Sequence, residues 1–219
     1  MDKIIGILAK YWYVFLRGLG GTLWMSAVVV AFGTVLGMFV ALIHMSKFKP
    51  LRFIADVYVE ILRGTPVLLQ LYFFWIGLPK ILPFEITDTQ SVVIAMIINS
   101  SAYISEIIRA GIGAVDKGQW EAAASLGLSQ THIMTKIILP QAVKNILPAL
   151  CNEFISTIKG TSLASTFFIG ELMTSYKTVT AATFLSLQSL AIVGVIYFVL
   201  NFTLSRLLRL LERRLSASD

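Results

Sequence analysis

Apolar side chains run along this chain in blocks, and the first of them, residues 23–43, holds 21 consecutive positions without a charge. At about 1.5 Å rise per residue, a helix of that length crosses a hydrocarbon core of roughly 30 Å. Apolar runs and charged boundaries further along predict five spanning helices, over residues 22–44, 54–78, 91–110, 145–168 and 182–204. Only the first and last read as clean. Asp56, Glu60, Arg63 and Pro66 interrupt the second, Asn99 and Glu106 the third, Glu153 and Lys159 the fourth, so these three are expected to line something other than lipid. Residues 1–21 carry Asp2, Lys3, Lys10 and Arg17 around a short apolar patch at 4–8. That patch is too short for the apolar region of a cleaved leader, and the segment reads as an amphipathic helix on the membrane surface.

Between the third and fourth spans the pattern turns polar without losing helical character. Asp116 is placed to cap a helix through Trp120, Glu121 and Leu126, which Gly127 ends. Ser129 is placed to cap a second helix over 130–138, closed by Pro140. The result is a helical hairpin in water, over residues 116–140. Five spans put the two termini on opposite sides. Lys47, Lys49 and Arg52, then Arg109, Lys117, Lys136 and Lys144, then Arg206, Arg209, Arg213 and Arg214 fall on one side, which the positive-inside rule makes the cytoplasm. The N-terminus is then outside, and the C-terminus, with a tail over 212–219, inside. The stretch 160–183 is too polar and long for a bare turn, and a short external helix over 169–176 is expected there as a lid on the bundle.

Composition agrees and removes other classes. Of the 219 residues 57% are hydrophobic and 14% charged, and the mean hydropathy is +0.81, well on the apolar side of a soluble domain. A single cysteine, Cys151, excludes an intrachain disulfide, and His44 and His132 are too far apart in sequence to suggest a metal site. The net charge of +6 is spread along membrane boundaries rather than gathered on one face, which speaks for topology and lipid and against nucleic acid. No phosphate-binding G-x-x-x-x-G-K-[ST] loop occurs, so the chain has no P-loop of its own to hold nucleotide.

In the hairpin, Glu121-Ala122-Ala123 is followed at fixed offsets by Gly127, Ile137 and Leu139-Pro140. This spacing resembles the EAA motif of bacterial ATP-binding-cassette importer permeases. ILRGTPVLLQL at 61–71, AYISEIIRAGIGAVDKGQW at 102–120 and NEFISTIKGTSLAS at 152–165 are similar to segments of the polar amino acid permeases in particular, although Gly160 stands where many of that family carry an aspartate. The resemblance implies an all-α integral membrane fold with five core spans, residues 22–211 forming the transmembrane domain. It also implies a multi-pass subunit of the bacterial inner membrane that is not itself an enzyme. Its partners would be a second permease, identical or paralogous, two separate ATPase subunits carrying the ATP and Mg, and an extracytoplasmic amino-acid-binding protein. No cofactor is expected in this chain. The resemblance assigns the ATPase contact to Gln119, Glu121, Ala122, Ala123 and Gly127.

The candidate transport residues lie on the interrupted spans. Helical phase puts Asn99, Tyr103 and Glu106 on one face of the third, with Ser100 and Ser101 near the estimated midplane, and Glu153, Thr157 and Thr161 on one face of the fourth. Glu153 falls near the bilayer centre, where a carboxylate costs roughly 2.5 kcal/mol or more unless compensated. Two compensations are open: a cationic group on the substrate, with Asn99, Ser101 and Tyr103 holding its amino-acid ends, or an ion pair with Lys159, six residues on at a poor helical offset. The first implies arginine, lysine or histidine as cargo; glutamine, glutamate or another small zwitterion is the alternative. An ion-coupled secondary transporter would use the same charges, but the EAA spacing argues against it. In the second span Asp56, Glu60 and Arg63 are spaced for a local ion-pair ladder, and Pro66 with Gly64 makes a plausible gating bend that leaves the Leu62 carbonyl free for a partner.

Overall fold

The computed structural model describes residues 2–216, and all secondary structure among them is helical. Met1 and residues 217–219, the extreme ends of the expected N-terminal segment and tail, lie outside the described residues. Helix α1 runs unbroken over Asp2–His44, 43 residues. The surface helix expected over 1–21 is therefore no separate element but the first half of the first span. Its apolar side is used inside the bundle: Ile7 and Phe15 pack against Leu172, Val179, Ile192 and Val193. Small residues let α1 approach its neighbours closely, because a methyl at Gly21 would run into the Gly170 carbonyl oxygen and one at Gly37 would sit 2.8 Å from the Ser101 oxygen.

The second predicted span is two helices, α2 (Lys49–Gly64) and α3 (Val67–Ile81), set at 110° to each other. This is far more than a proline kink. Thr65 (φ −116°, ψ 150°) and Pro66 (φ −60°, ψ 132°) are both extended; the proline ring disfavours helical backbone at the residue before it, and the chain turns a corner there. Helix α4 (Asp88–Gly113) starts at a reciprocal capping box between Thr87 and Gln90 and packs along α1, α3 and α7 (Leu139–Gly160).

The hairpin begins as expected. Asp116 Oδ1 accepts from the Gly118 N–H at 2.7 Å to open α5 (Lys117–Ser125), and Gly127 takes φ +75° just past its end. Ser129 accepts from the His132 N–H at 3.3 Å to open α6 (Gln130–His132). Pro140, however, does not end the second limb. A π-helical stretch, Ile133–Ile138, leads straight into α7, with the Leu139 N–H donating to the Met134 oxygen. The widened turn gives the proline ring room against the preceding carbonyls, so the limb continues to Gly160. From there a 3₁₀ turn (Thr161–Phe167) leads to α8 (Leu172–Thr183), twelve residues rather than the shorter lid expected over 169–176, packed against α1 and α9 (Ser186–Ser216). Glu171 caps it, accepting from the Met173 and Thr174 N–H groups at 2.7 and 2.6 Å and from the Tyr197 hydroxyl of α9 at 3.1 Å.

Among the described residues three helices, α1, α4 and α9, are long and apolar enough to cross a membrane, and the bent α2–α3 pair makes a fourth if it counts as one span. Helix α7, with Lys144, Glu153 and Lys159, is not among them. Of these, Glu153 faces the cavities described next.

Candidate functional site

Two half-open cavities share a wall in the bundle. One, of about 340 Å³, is walled by Val29, Val67, Met96 and Leu163, with Asn99, Ser100, Tyr103, Glu153, Ser156 and Thr157 supplying its polar lining. The second, of about 490 Å³, opens toward the hairpin end between Arg63, Tyr103, Glu106, Asn145 and Glu153. Tyr103 and Glu153 line both and so form the partition. The spacing of Asn99, Tyr103 and Glu106 explains this: successive turns of α4 carry one stripe of side chains from the first cavity into the second.

Glu153 accepts from the Ser100 hydroxyl at 3.2 Å and makes no ion pair among the described residues. The alternative pairing with Lys159 is thus not formed; Lys159 is exposed and lines a separate cavity toward the other end of the bundle, with Ser165 and Tyr197. Thr157 faces the first cavity beside Glu153, but Thr161 does not. It is fully buried in the 3₁₀ turn, where its hydroxyl donates to the Ile158 oxygen at 2.8 Å, since the tighter winding there rotates it off the α7 face. Ser101 is likewise turned away: its hydroxyl bonds the Ile98 oxygen at 2.7 Å and the Tyr58 hydroxyl, also at 2.7 Å. Its neighbour Ser100, one position back and so on the Asn99–Tyr103 stripe, is the serine that reaches the cavity.

The corner of the broken span is fastened to this site. Pro66 leaves the Leu62 carbonyl without a helical partner, and two side chains fill the vacancy: Gln70 Nε2 at 2.8 Å and Asn99 Nδ2 at 3.3 Å. Gln70 also donates to the Thr65 carbonyl and hydroxyl at 3.2 and 2.8 Å, and accepts from Asn99 at 2.9 Å. Asn99 therefore both lines the cavity and holds the elbow. Gln70 escaped the sequence reading, although a lone amide four residues after a proline in an apolar run is the signal that marks it.

The ladder of Asp56, Glu60 and Arg63 expected within α2 does not form; Asp56 and Arg63 instead join a cluster that spans α1, α2 and α4. Asp56 meets His44 Nε2 at 2.8 Å and lies 4.0 Å from Arg52, while Glu106 is gripped by both Nε and Nη2 of Arg109 at 2.9 and 2.8 Å. Arg63 Nη1 approaches Glu106 at 3.4 Å and His44 Nδ1 does so at 3.6 Å. Glu60 is exposed and joins no ion pair among the described residues. Folding α2 across α1 and α4 puts better partners in reach of Asp56 and Arg63 than their own helix offers. Nothing in the local spacing of His44 marks this contact, which is purely tertiary.

On the hairpin, Gln119, Glu121, Ala122 and Gly127 are exposed, whereas Ala123 is 3% exposed and packs with Val115, Ile133, Ile138 and Ala142 in the hairpin's own core. Its small size serves the closeness of the two limbs. The apolar tip is Leu126, 80% exposed, a residue the motif spacing passes over.

An all-helical bundle with a broken span, a polar interior cavity and an exposed hairpin is the build of a membrane transporter subunit. The chain belongs to the family of binding-protein-dependent transport system inner membrane components, whose model matches residues 33–217. It is 42% identical to the arginine transport system permease protein ArtQ of Bacillus subtilis over 93% of each chain. It is 40% identical, over 90% of each, to a Rickettsia bellii permease provisionally named for glutamine transport. A crystal structure of an amino acid ABC transporter with histidines superposes with a TM-score of 0.91 at 43% identity, covering 94% of this chain and 96% of that one. The chain is accordingly a permease subunit of an amino acid ABC importer in the bacterial inner membrane.

Proposed function

We propose that this permease carries cationic amino acids, arginine, lysine or histidine, and that Glu153 receives the side-chain cation. The observation that carries this is a carboxylate facing a cavity, beside Asn99, Ser100 and Thr157, with no cation of the chain paired to it among the described residues. A half-buried anion of that kind within a membrane bundle is costly until a cation arrives, so it discriminates by charge. The relative named for arginine transport and the neighbour solved with histidines agree in chemistry. The relative named for glutamine supports a second reading, in which Asn99, Ser100 and Tyr103 bind a neutral cargo and Glu153 takes its α-amino group.

Transport is alternating access. A loaded binding protein docks at the end away from the hairpin, the N-terminus outside and the hairpin in the cytoplasm. ATP binding closes a separate pair of ATPases against Gln119, Glu121, Ala122 and Gly127 in a complex with a second permease. The motion reaches the cavity because the second limb of the hairpin and the helix bearing Glu153 are continuous, and the elbow at Gly64 to Pro66 supplies the moving wall. Uptake of labelled arginine, lysine and glutamine by the reconstituted complex tests the assignment. Glu153→Gln should weaken arginine and lysine by about ten-fold or more, the scale of one charge-assisted hydrogen bond, and glutamine far less. Unchanged affinity for arginine and lysine would sink the cation site, and an equal loss for glutamine would favour the neutral reading.

A further inference from the structure

The second cavity already holds a cation supplied by the chain. Arg63, the penultimate residue of α2, lays its guanidinium over the Tyr103 ring, 5.5 Å from the centroid, and places Nη1 3.4 Å from Glu106. An aromatic face with a carboxylate at its edge is what a planar cation binds. Tyr103 is also the partition between this space and the cavity of Glu153. Glu106 keeps its two-point contact with Arg109 whether or not Arg63 is there, so the place Arg63 fills can be vacated without stranding the carboxylate.

Building on the cationic reading above, we infer that Tyr103 and Glu106 form a second, exit-side subsite for the substrate cation, which Arg63 plugs in this conformation. Cargo moving from Glu153 toward the hairpin end crosses Tyr103 and takes the position of the Arg63 guanidinium, one cation replacing another, so the net charge of the cavity is unchanged by the exchange. Arg63 stands immediately before the Gly64 to Pro66 corner, and its displacement therefore removes one tie between the elbow and α4, leaving the Asn99 and Gln70 contacts at Leu62 to hold it. Arg63 is a positioning residue here, and the ligand class is an amino acid with a guanidinium or ammonium side chain.

The test is saturation binding of radiolabelled arginine to the assembled complex in lipid nanodiscs, without the binding protein. Arg63→Gln empties the subsite, and arginine bound at saturation should rise about two-fold over wild type, from the Glu153 site alone to both. Adding Glu106→Gln to that variant should return binding to the wild-type level. Binding by Arg63→Gln that stays at the wild-type level overturns the inference while leaving the Glu153 reading intact. A wild-type complex that binds no arginine overturns that reading instead, and this inference with it. Should Arg63→Gln not assemble, Arg63→Lys carries the test. Its ammonium lacks the planar stack and plugs more weakly, so a second, weaker and saturable class of arginine site should appear. A single class of site in Arg63→Lys overturns the inference as well.

Discussion

Replacing Gln70 by leucine should loosen the elbow more than replacing the proline that makes it. Gln70 is 7% exposed and spends its whole amide on the corner: three contacts donated, to the Leu62 oxygen and to the Thr65 carbonyl and hydroxyl, and one accepted from Asn99. The two N–H groups share the three donor contacts, so with the accepted one they amount to about three hydrogen bonds; at about 0.6 kcal/mol each between membrane helices these contribute about 2 kcal/mol, or roughly 30-fold in an equilibrium between fastened and released corner. Gln70→Leu keeps the volume and leaves the Leu62 carbonyl with Asn99 alone at 3.3 Å. Pro66→Ala restores an N–H, but residue 66 is extended and does not direct that group at Leu62, so Gln70 goes on holding the bend and the cost stays below about 0.5 kcal/mol. Thermal unfolding of the nanodisc complex, with ATP hydrolysed per amino acid transported, reads both effects. Gln70→Leu should lower the midpoint and raise the ratio, and Asn99→Leu on top should cost less than its separate effect because the two share one carbonyl. A larger loss from Pro66→Ala than from Gln70→Leu would refute the reasoning, because the proline and not the amide would then be holding the corner.

Gly21→Ala places a methyl against the Gly170 carbonyl oxygen, a backbone atom that cannot swing aside, and should destabilise the α1–α8 contact by about 1–3 kcal/mol, seen as a lower unfolding midpoint with normal insertion. Leu126→Glu at the hairpin tip touches no core and should leave that midpoint within about 0.5 kcal/mol of wild type, yet should abolish co-purification with the ATPase subunits; retention of the ATPases would remove the tip from the contact surface.

What could be read in advance follows the range of each interaction. Charge-free runs and capping residues act within a few positions, so the apolar stretches of α1, α4 and α9, the helix starts at Asp116 and Ser129, and the carbonyl released by Pro66 were visible in order along the chain. The 110° corner was not, because a proline announces a break but only tertiary partners decide how far the chain turns. Pro140 misled for the same reason: the rule that proline ends a helix assumes α geometry, and one wide turn at Ile133–Ile138 removes the conflict. The continuity of α1 through residues 1–21 rested on surface that α8 and α9 cover, and nothing near Lys10 or Arg17 reports the arrival of helices more than 150 positions later.

The same distinction explains which charges could be assigned. Glu153 was identified by depth alone, because a carboxylate near a helix midpoint in a membrane must face something polar whatever its neighbours are, and the cavity beside it meets that demand. Arg63 sits one residue from the end of α2, and Asp56, though mid-helix, has a side chain 36% exposed, so local, tertiary and solvent partners all compete for both, and spacing along α2 favoured the wrong one. His44 and Glu106 won because the fold brings their helices across α2 at the hairpin side of the partition. A charge deep in a span is thus constrained by the membrane, and a charge at its margin by the packing. The residues that line the cavity become legible from sequence before the residues that fasten the broken span.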